Sequence, residues 1–212
     1  HEGLVQSWKD IFPKKGEIYF AGALENNEDT GTLQYLASTA MEAGFSTRVL
    51  DMQALDLQNG RFFDPAGELV NRCFKLYPWE WMVDESPDGC LAEMEWLEPI
   101  WKLVMSNKAI LATLYELFPD SPYVLPCYLS RPRSGLFCKK PVFSREGHNV
   151  SVVDIRDWEE YVRIAETEGD YNTGAYVYQE YVEPTAYSGR YPVIGSWIIG
   201  GEAAGIGIRE NR

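Results

Sequence analysis

The chain has 212 residues and a formal net charge of −13. That length allows one large domain or two small ones around a sizeable core, and 45% hydrophobic with 24% charged residues is the composition of a soluble globular protein. The acidic balance argues against a general nucleic-acid binder, because no basic face neutralises phosphates, and no apolar run approaches the roughly 20 residues that span a bilayer.

The first readable unit is "GEIYFAGALENNEDTGTLQYLASTAMEAGFSTRVLDM". Ile18, Phe20 and Ala21 lie in an apolar run that predicts a strand. Asp29 or Thr30 is the expected cap of a helix whose apolar positions, Leu33, Leu36, Ala37, Ala40 and Met41, recur at three- and four-residue spacing. Gly44 stands where a helix C-terminal glycine belongs, and "STRVLDM" returns as a second strand. A βαβ unit of this kind implies a parallel sheet with a right-handed crossover. It has no GxGxxG fingerprint, so it is not read as a dinucleotide site.

Asn59-Gly60 and Asp64-Pro65-Ala66-Gly67 then signal turns between short strands. Two helices are expected next, over Leu91 to Met105 and Lys108 to Phe118, the second ended by Pro119 and Pro122. From about Pro126 the texture changes to short strands and glycine-rich turns, interrupted by one expected helix around Asp157 to Glu168. The fold class is therefore α/β (α+β). The expected boundary separates residues 1–125 from 126–212.

The four cysteines (Cys73, Cys90, Cys127, Cys138) form no CxxC pair, which reads as reduced thiols in a cytoplasmic protein. With only His1 and His148, a histidine-based metal site or Ser-His-Asp chemistry is nearly excluded.

Candidate chemistry gathers in "CKKPVFSREGHNV". Pro141 biases Lys140 toward extended geometry, so its stem points in a defined direction, and a positioned ammonium is a common phosphate partner. The loop Ser144 to Asn149 follows, where Gly147 permits positive φ and consecutive N–H groups can cradle an anion. An ordinary hairpin with a solvated tip is the competing reading. "YVYQEYVEP" alternates like a strand ending at Pro184, whose polar end suits either an adenine edge or plain solvent. Lys108, in "SNKAIL", follows Ser106 or Asn107 as helix cap, and a cation there is locally unfavourable, which hints at a partner anion. Arg209, in "GIGIRE", is a phosphate or carboxylate clamp or a surface residue.

The runs "FKLYPWEW", "EPIWKLVMSNKAIL", "KKPVFSREGHNV", "YVYQEYVEP" and "VIGSWIIGGEAAGIGIRE" together resemble, in order, the synthetase domain of the glutathionylspermidine synthase family. The resemblance implies a partial, circularly rearranged ATP-grasp fold preceded by a pre-ATP-grasp-like βαβ unit on the substrate side. It also implies ATP-dependent ligation of a small carboxylate, a glutathione-like peptide, to a polyamine-like amine through an acyl phosphate. By the same resemblance Lys108 and Lys140 contact ATP, and Ser144 to Asn149 is the mobile loop over the phosphates, with Gly147 and His148 nearest the nucleotide. Gln179, Glu180, Tyr181 and Val182 meet adenine, Arg209 stabilises the transferred phosphate, and Glu80 lies near the thiol-peptide substrate. Mg²⁺ is implied as well, with its carboxylate ligands upstream of "HEGL". His1 is no start methionine and "GIGIRENR" ends directly after a strand-like run, so a piece of a longer chain, incomplete as a catalyst by itself, is expected. A non-catalytic ATP-binding relative, or a ligase for another peptide and polyamine pair, are the alternatives.

Overall fold

The computed structural model describes residues 1–157, 160–171 and 174–211. They divide into two compact units, 1–100 with 186–212, and 101–185.

The first unit begins with helix α1 (Glu2–Ile11), strand β1 (Glu17–Gly22), helix α2 (Asn27–Glu42) and strand β2 (Ser46–Asp51). β1 and β2 pair in parallel, as the βαβ reading requires. The cap of α2 is Asn26, three residues upstream of the expected Asp29, and its side chain accepts the Glu28 N–H at 2.9 Å. Asn, Asp and Thr all cap well, so composition could not choose among them; Glu28 and Asp29 instead fill the first turn, where the helix dipole favours them. At the other end Gly44 has φ +93°. The Gly44 N–H donates to Met41 O and the Phe45 N–H to Ala40 O, a Schellman closure that carries Phe45 into the core.

Three short strands, β3 (Asp56–Gln58), β4 (Arg61–Phe63) and β5 (Leu69–Val70), form an antiparallel sheet around the two expected turns. Asn59 and Gly60 both take positive φ, the requirement of a tight hairpin. In the second turn Asp64 Oδ1 accepts the Ala66 and Glu68 N–H groups, while Oδ2 meets Arg48 at 2.8 Å and the Tyr19 hydroxyl at 3.2 Å. Those donors, led by the Glu68 N–H, hold the Asp64 carboxyl below the usual carboxylate range.

Strand β6 (Arg72–Leu76) joins the other edge of β1 in parallel, and after helices α3 (Trp79–Glu85) and α4 (Pro87–Cys90), strand β7 (Glu95–Leu97) completes the order β2-β1-β6-β7. The helix expected over Leu91 to Met105 is corrected here. Glu95–Leu97 pairs with β6, and only Ile100–Met105 winds, as a 3-10 turn. α1 and α2 cover the sheet with Trp8, Leu33 and Leu36 packed against Ile18 and Phe20, both fully buried. The Trp8 indole N–H is satisfied by Thr39 Oγ1 at 2.8 Å.

The second unit starts with helix α5 (Ala109–Leu117), close to the expected span. Strands β8 (Cys127–Tyr128), β9 (Gly135–Pro141), β10 (Ser151–Ile155), β11 (Tyr161–Glu166) and β12 (Tyr176–Glu180) follow. They form an antiparallel sheet of order β11-β10-β9-β12-β8. β11 replaces the helix expected over Asp157 to Glu168, of which Trp158 and Glu159 lie outside the described residues; pairing with β10 outweighs the helical pattern of "EEYVRIAE". The final hairpin, β13 (Tyr191–Ile199) and β14 (Glu202–Asn211), belongs to the first unit. No helix among the described residues is long and apolar enough to cross a membrane, and all four cysteines are free thiols.

Candidate nucleotide and substrate site

Strand alternation sorts the functional side chains of the second unit. On β9, Phe137 and Lys139 face one side and Cys138 and Lys140 the other. Cross-strand register places Lys140 opposite Val177 and Cys138 opposite Gln179. Val177 and Cys127 are buried with Ala112 of α5, so Lys140 shares the α5 face of the sheet. Its ammonium donates to Gln179 Oε1 at 2.6 Å, a neutral partner, and makes no ion pair among the described residues. An ammonium has three donors, so capacity remains for an anion. Burial pushes the thiols of Cys127 and Cys138 up, and the positive charge of Lys140 pulls against it in both.

Lys108 stands at the start of α5, where Asn107 Oδ1 accepts the Ala109 N–H at 2.9 Å. The Lys108 N–H donates to Val142 O, and its ammonium reaches Ser144 O at 2.6 Å and Ser144 Oγ at 2.8 Å. One lysine, at the start of the helix that covers the Lys140 face, thus fixes the start of the polar loop. The loop itself holds Glu146, Gly147 and Asn149 at positive φ. Gly147 is exposed, with nothing within 4 Å of where a Cβ would sit, so a ligand can approach its backbone closely.

The loop is strapped by residues 167–171, a contact the sequence did not announce. Asn149 Nδ2 donates to Gly169 O at 2.8 Å, the Tyr171 N–H donates to Asn149 Oδ1 at 2.7 Å, and the Thr167 hydroxyl bonds Gly147 O. A Cβ on Gly169 would lie 2.5 Å from His148 Cβ and 2.8 Å from Asn149 Oδ1. Gly169→Ala should therefore displace His148 and cost about 1–3 kcal/mol, the usual range for overpacking. A thermal melt and the His148 ring resonances check this, and unchanged resonances would contradict it.

At the end of β12 the expected adenine segment is partly committed. The Glu180 and Tyr181 N–H groups donate to Pro126 O and Leu136 O at 2.8 and 3.0 Å. No hydrogen bond among the described residues uses the Val182 N–H.

Arg209 and Glu80 belong to the first unit. Arg209 is exposed on β14 opposite Val193 and makes no ion pair among the described residues. Glu80, on α3, is half-buried and feels the charge of Lys75. Lys75 was missed by the sequence reading, although a lone lysine at an inward position of "RCFKL" was the available signal. It is 5% exposed, donates to Tyr77 O at 2.8 Å and lies 3.9 Å over the Trp79 ring. Burial lowers its pKa to about 8, opposed by Glu98, Cys73 and Glu80.

Because the folded pKa of Lys75 lies below its ordinary 10.5, the unfolded chain binds more protons between these values. Its contribution to stability should accordingly rise with pH from about 8 to 10.5. The difference in denaturant stability between the native protein and Lys75→Met, followed across that window, should carry this slope; a flat difference would contradict it.

Among the described residues no group of three or more His, Cys, Asp or Glu is placed to hold a metal ion. Their donors do not assemble a Mg²⁺ site, whereas the lysines and the Gly147 loop suit the phosphates of a nucleotide.

Residues 1–212 match the family described as glutathionylspermidine synthase preATP-grasp. The chain belongs to that family. The resemblance seen in the five sequence runs is thereby shown. Among its relatives, a proposed acid–amine ligase of Haemophilus influenzae is 33% identical over all of this chain and 57% of its own length. The trypanothione synthetase of Crithidia fasciculata is 36% identical over 55% of this chain and 18% of its own. The bifunctional glutathionylspermidine synthetase/amidase of Escherichia coli is 27% identical over 98% of this chain and 38% of its own. The family member thus spans about half or less of the length of these relatives.

Proposed function

We propose that the protein is an ATP-dependent acid–amine ligase that works through an acyl phosphate. The observation that supports this reading is that Lys108 holds the start of the Ser144–Asn149 loop while Lys140 stands on the sheet face covered by α5, in a chain whose relatives are named as ligases and synthetases.

In this reading a carboxylate oxygen attacks the γ-phosphorus of ATP, the bond to the β-phosphate oxygen breaks, and ADP departs. The neutral amine nitrogen then attacks the acyl carbon, inorganic phosphate leaves with the bonding electron pair, and the nitrogen releases a proton to solvent as the amide forms. Lys108 and Lys140 neutralise phosphate charge, and the backbone of Gly147 and His148 closes over it. The Val182 N–H and the Glu180 carbonyl meet the nucleobase edge, with Gln179 and Tyr181 beside them. Arg209 stabilises the transferring phosphoryl group. Glu80 contacts the acid substrate, and Lys75 orients it through charge.

Mg²⁺, when bound, would neutralise the polyphosphate; the described residues do not supply its ligands. Functionally, 1–125 is the substrate side and 126–212 the nucleotide-binding subdomain of a partial ATP-grasp. A glutathione-like peptide and a polyamine-like amine are the proposed substrates, consistent with the net charge of −13 for the cation. The free thiols accord with a cytoplasmic location.

Phosphate release from ATP by the full protein tests the proposal. Release that requires both glutathione and spermidine is expected. Nucleotide binding without such release would favour the non-catalytic ATP-binding relative, and release with another acid and amine would move the substrates alone.

A further inference from the structure

The sheet face opposite Lys140 carries a second cationic feature. Arg131, Lys139, Val153, Ile155, Tyr161 and Tyr178 enclose a cavity of about 100 Å³. Its floor is apolar, with Val153 and Ile155 both 1% exposed. The Arg131 Nη2 donates to Asp157 O at 2.9 Å, and its guanidinium carbon lies 4.9 Å from the Tyr161 ring centre. Lys139 places its ammonium 4.0 Å over Tyr176. Neither cation forms an ion pair among the described residues. In addition, Arg131 Nε is shielded from solvent and has no hydrogen-bond partner there.

A desolvated guanidinium N–H without an acceptor is costly, and native structures rarely leave one so. Two cationic residues without an ion pair among the described residues line one cavity, which is conspicuous in a chain of net charge −13. The cavity lies well below the few hundred Å³ of a drug-sized ligand site, so the occupant is one small group. Tyrosine walls on an apolar floor lower the local dielectric and strengthen any charge-assisted bond formed within.

We propose that this cavity is a binding site for a single oxyanion group, a carboxylate or a phosphate, that accepts hydrogen bonds from Arg131 Nε and Lys139 Nζ between Tyr161 and Tyr178. The site is separate from the Lys140 face and does not depend on the ligase reading.

The test follows the arginine Nε–Hε resonances of the full ¹⁵N-labelled protein during titration with inorganic phosphate or with acetate at constant ionic strength. The Arg131 resonance, assigned by its loss in Arg131→Gln, should shift saturably. Lys139→Met should weaken that titration roughly 5- to 150-fold, the range for one charged hydrogen-bond partner, and Lys140→Met should leave it unchanged. A response to phosphate alone or to acetate alone identifies the source of the anion. An Arg131 resonance indifferent to both anions would overturn the proposal, as would a shift that depends on Lys140 and not on Lys139.

Discussion

Lys140→Ala is expected to weaken nucleotide binding by the full protein roughly 5- to 150-fold, the equivalent of about 1–3 kcal/mol for a charged hydrogen-bond partner. The Lys140 ammonium is held by position rather than by a counter-ion. Its strand is fixed between β10 and β12, Pro141 follows it, and its ammonium donates to the neutral Gln179 amide. Removing the ammonium should therefore subtract anion affinity without orphaning a buried carboxylate, and the melting temperature should change little. Lys140→Arg is a useful companion, because a planar fork cannot reproduce the reach of a point charge at the end of a flexible stem. Calorimetric titration with a non-hydrolysable ATP analogue measures both variants. Unchanged affinity in Lys140→Ala would remove this residue from the site.

Arg209→Ala should act differently, lowering kcat by on the order of 10²-fold or more while leaving the KM for ATP near its native value. A donor aimed at charge that develops only during phosphoryl transfer contributes to the transition state and little to the ground state. Arg209 is suited to this because its guanidinium is exposed and makes no ion pair among the described residues. Its neighbour Glu210 is already engaged by Arg190 at 2.6 Å. Steady-state kinetics separates the possibilities, and an equal change in kcat and in KM would reassign Arg209 to ground-state binding.

Much of the fold was legible because local signals and tertiary packing agreed. The apolar alternation around Ile18 and Phe20, the helical spacing from Leu33 to Ala40 and the glycine at 44 each specify the same βαβ unit. Asn59-Gly60 specified its turn through the positive φ it adopts. Where reading failed, a strand had been claimed by a sheet edge. Glu95–Leu97 joins β6, and Tyr161–Glu166 joins β10. Such pairing energy comes from residues far away in sequence and overrides a short helical pattern.

The candidate site divides in the same way. Lys108, Lys140 and the Gly147 loop were legible as residue types in suggestive places. That Lys108 would bond Ser144, 36 residues on, and that Lys140 would bond Gln179, 39 residues on, was not. The strap from Thr167 to Tyr171 was hidden for a further reason: Asn149 and Thr167 are polar in sequence, but their partners are backbone groups 20 and 22 residues away, and the tight approach at Gly169 depends on a missing Cβ. Lys75 was overlooked because a single lysine in an apolar strand usually reads as an edge residue, whereas here it is buried against Trp79.

The most direct measurement follows oxygen rather than rate. The full protein would be given MgATP, spermidine and glutathione whose carboxylates carry oxygen-18, and the inorganic phosphate formed would be weighed by mass spectrometry. An acyl-phosphate ligase must transfer one labelled oxygen to phosphate for each amide bond made. Phosphate free of label, or no phosphate release when acid and amine are both present, would contradict ligation of this pair by that route.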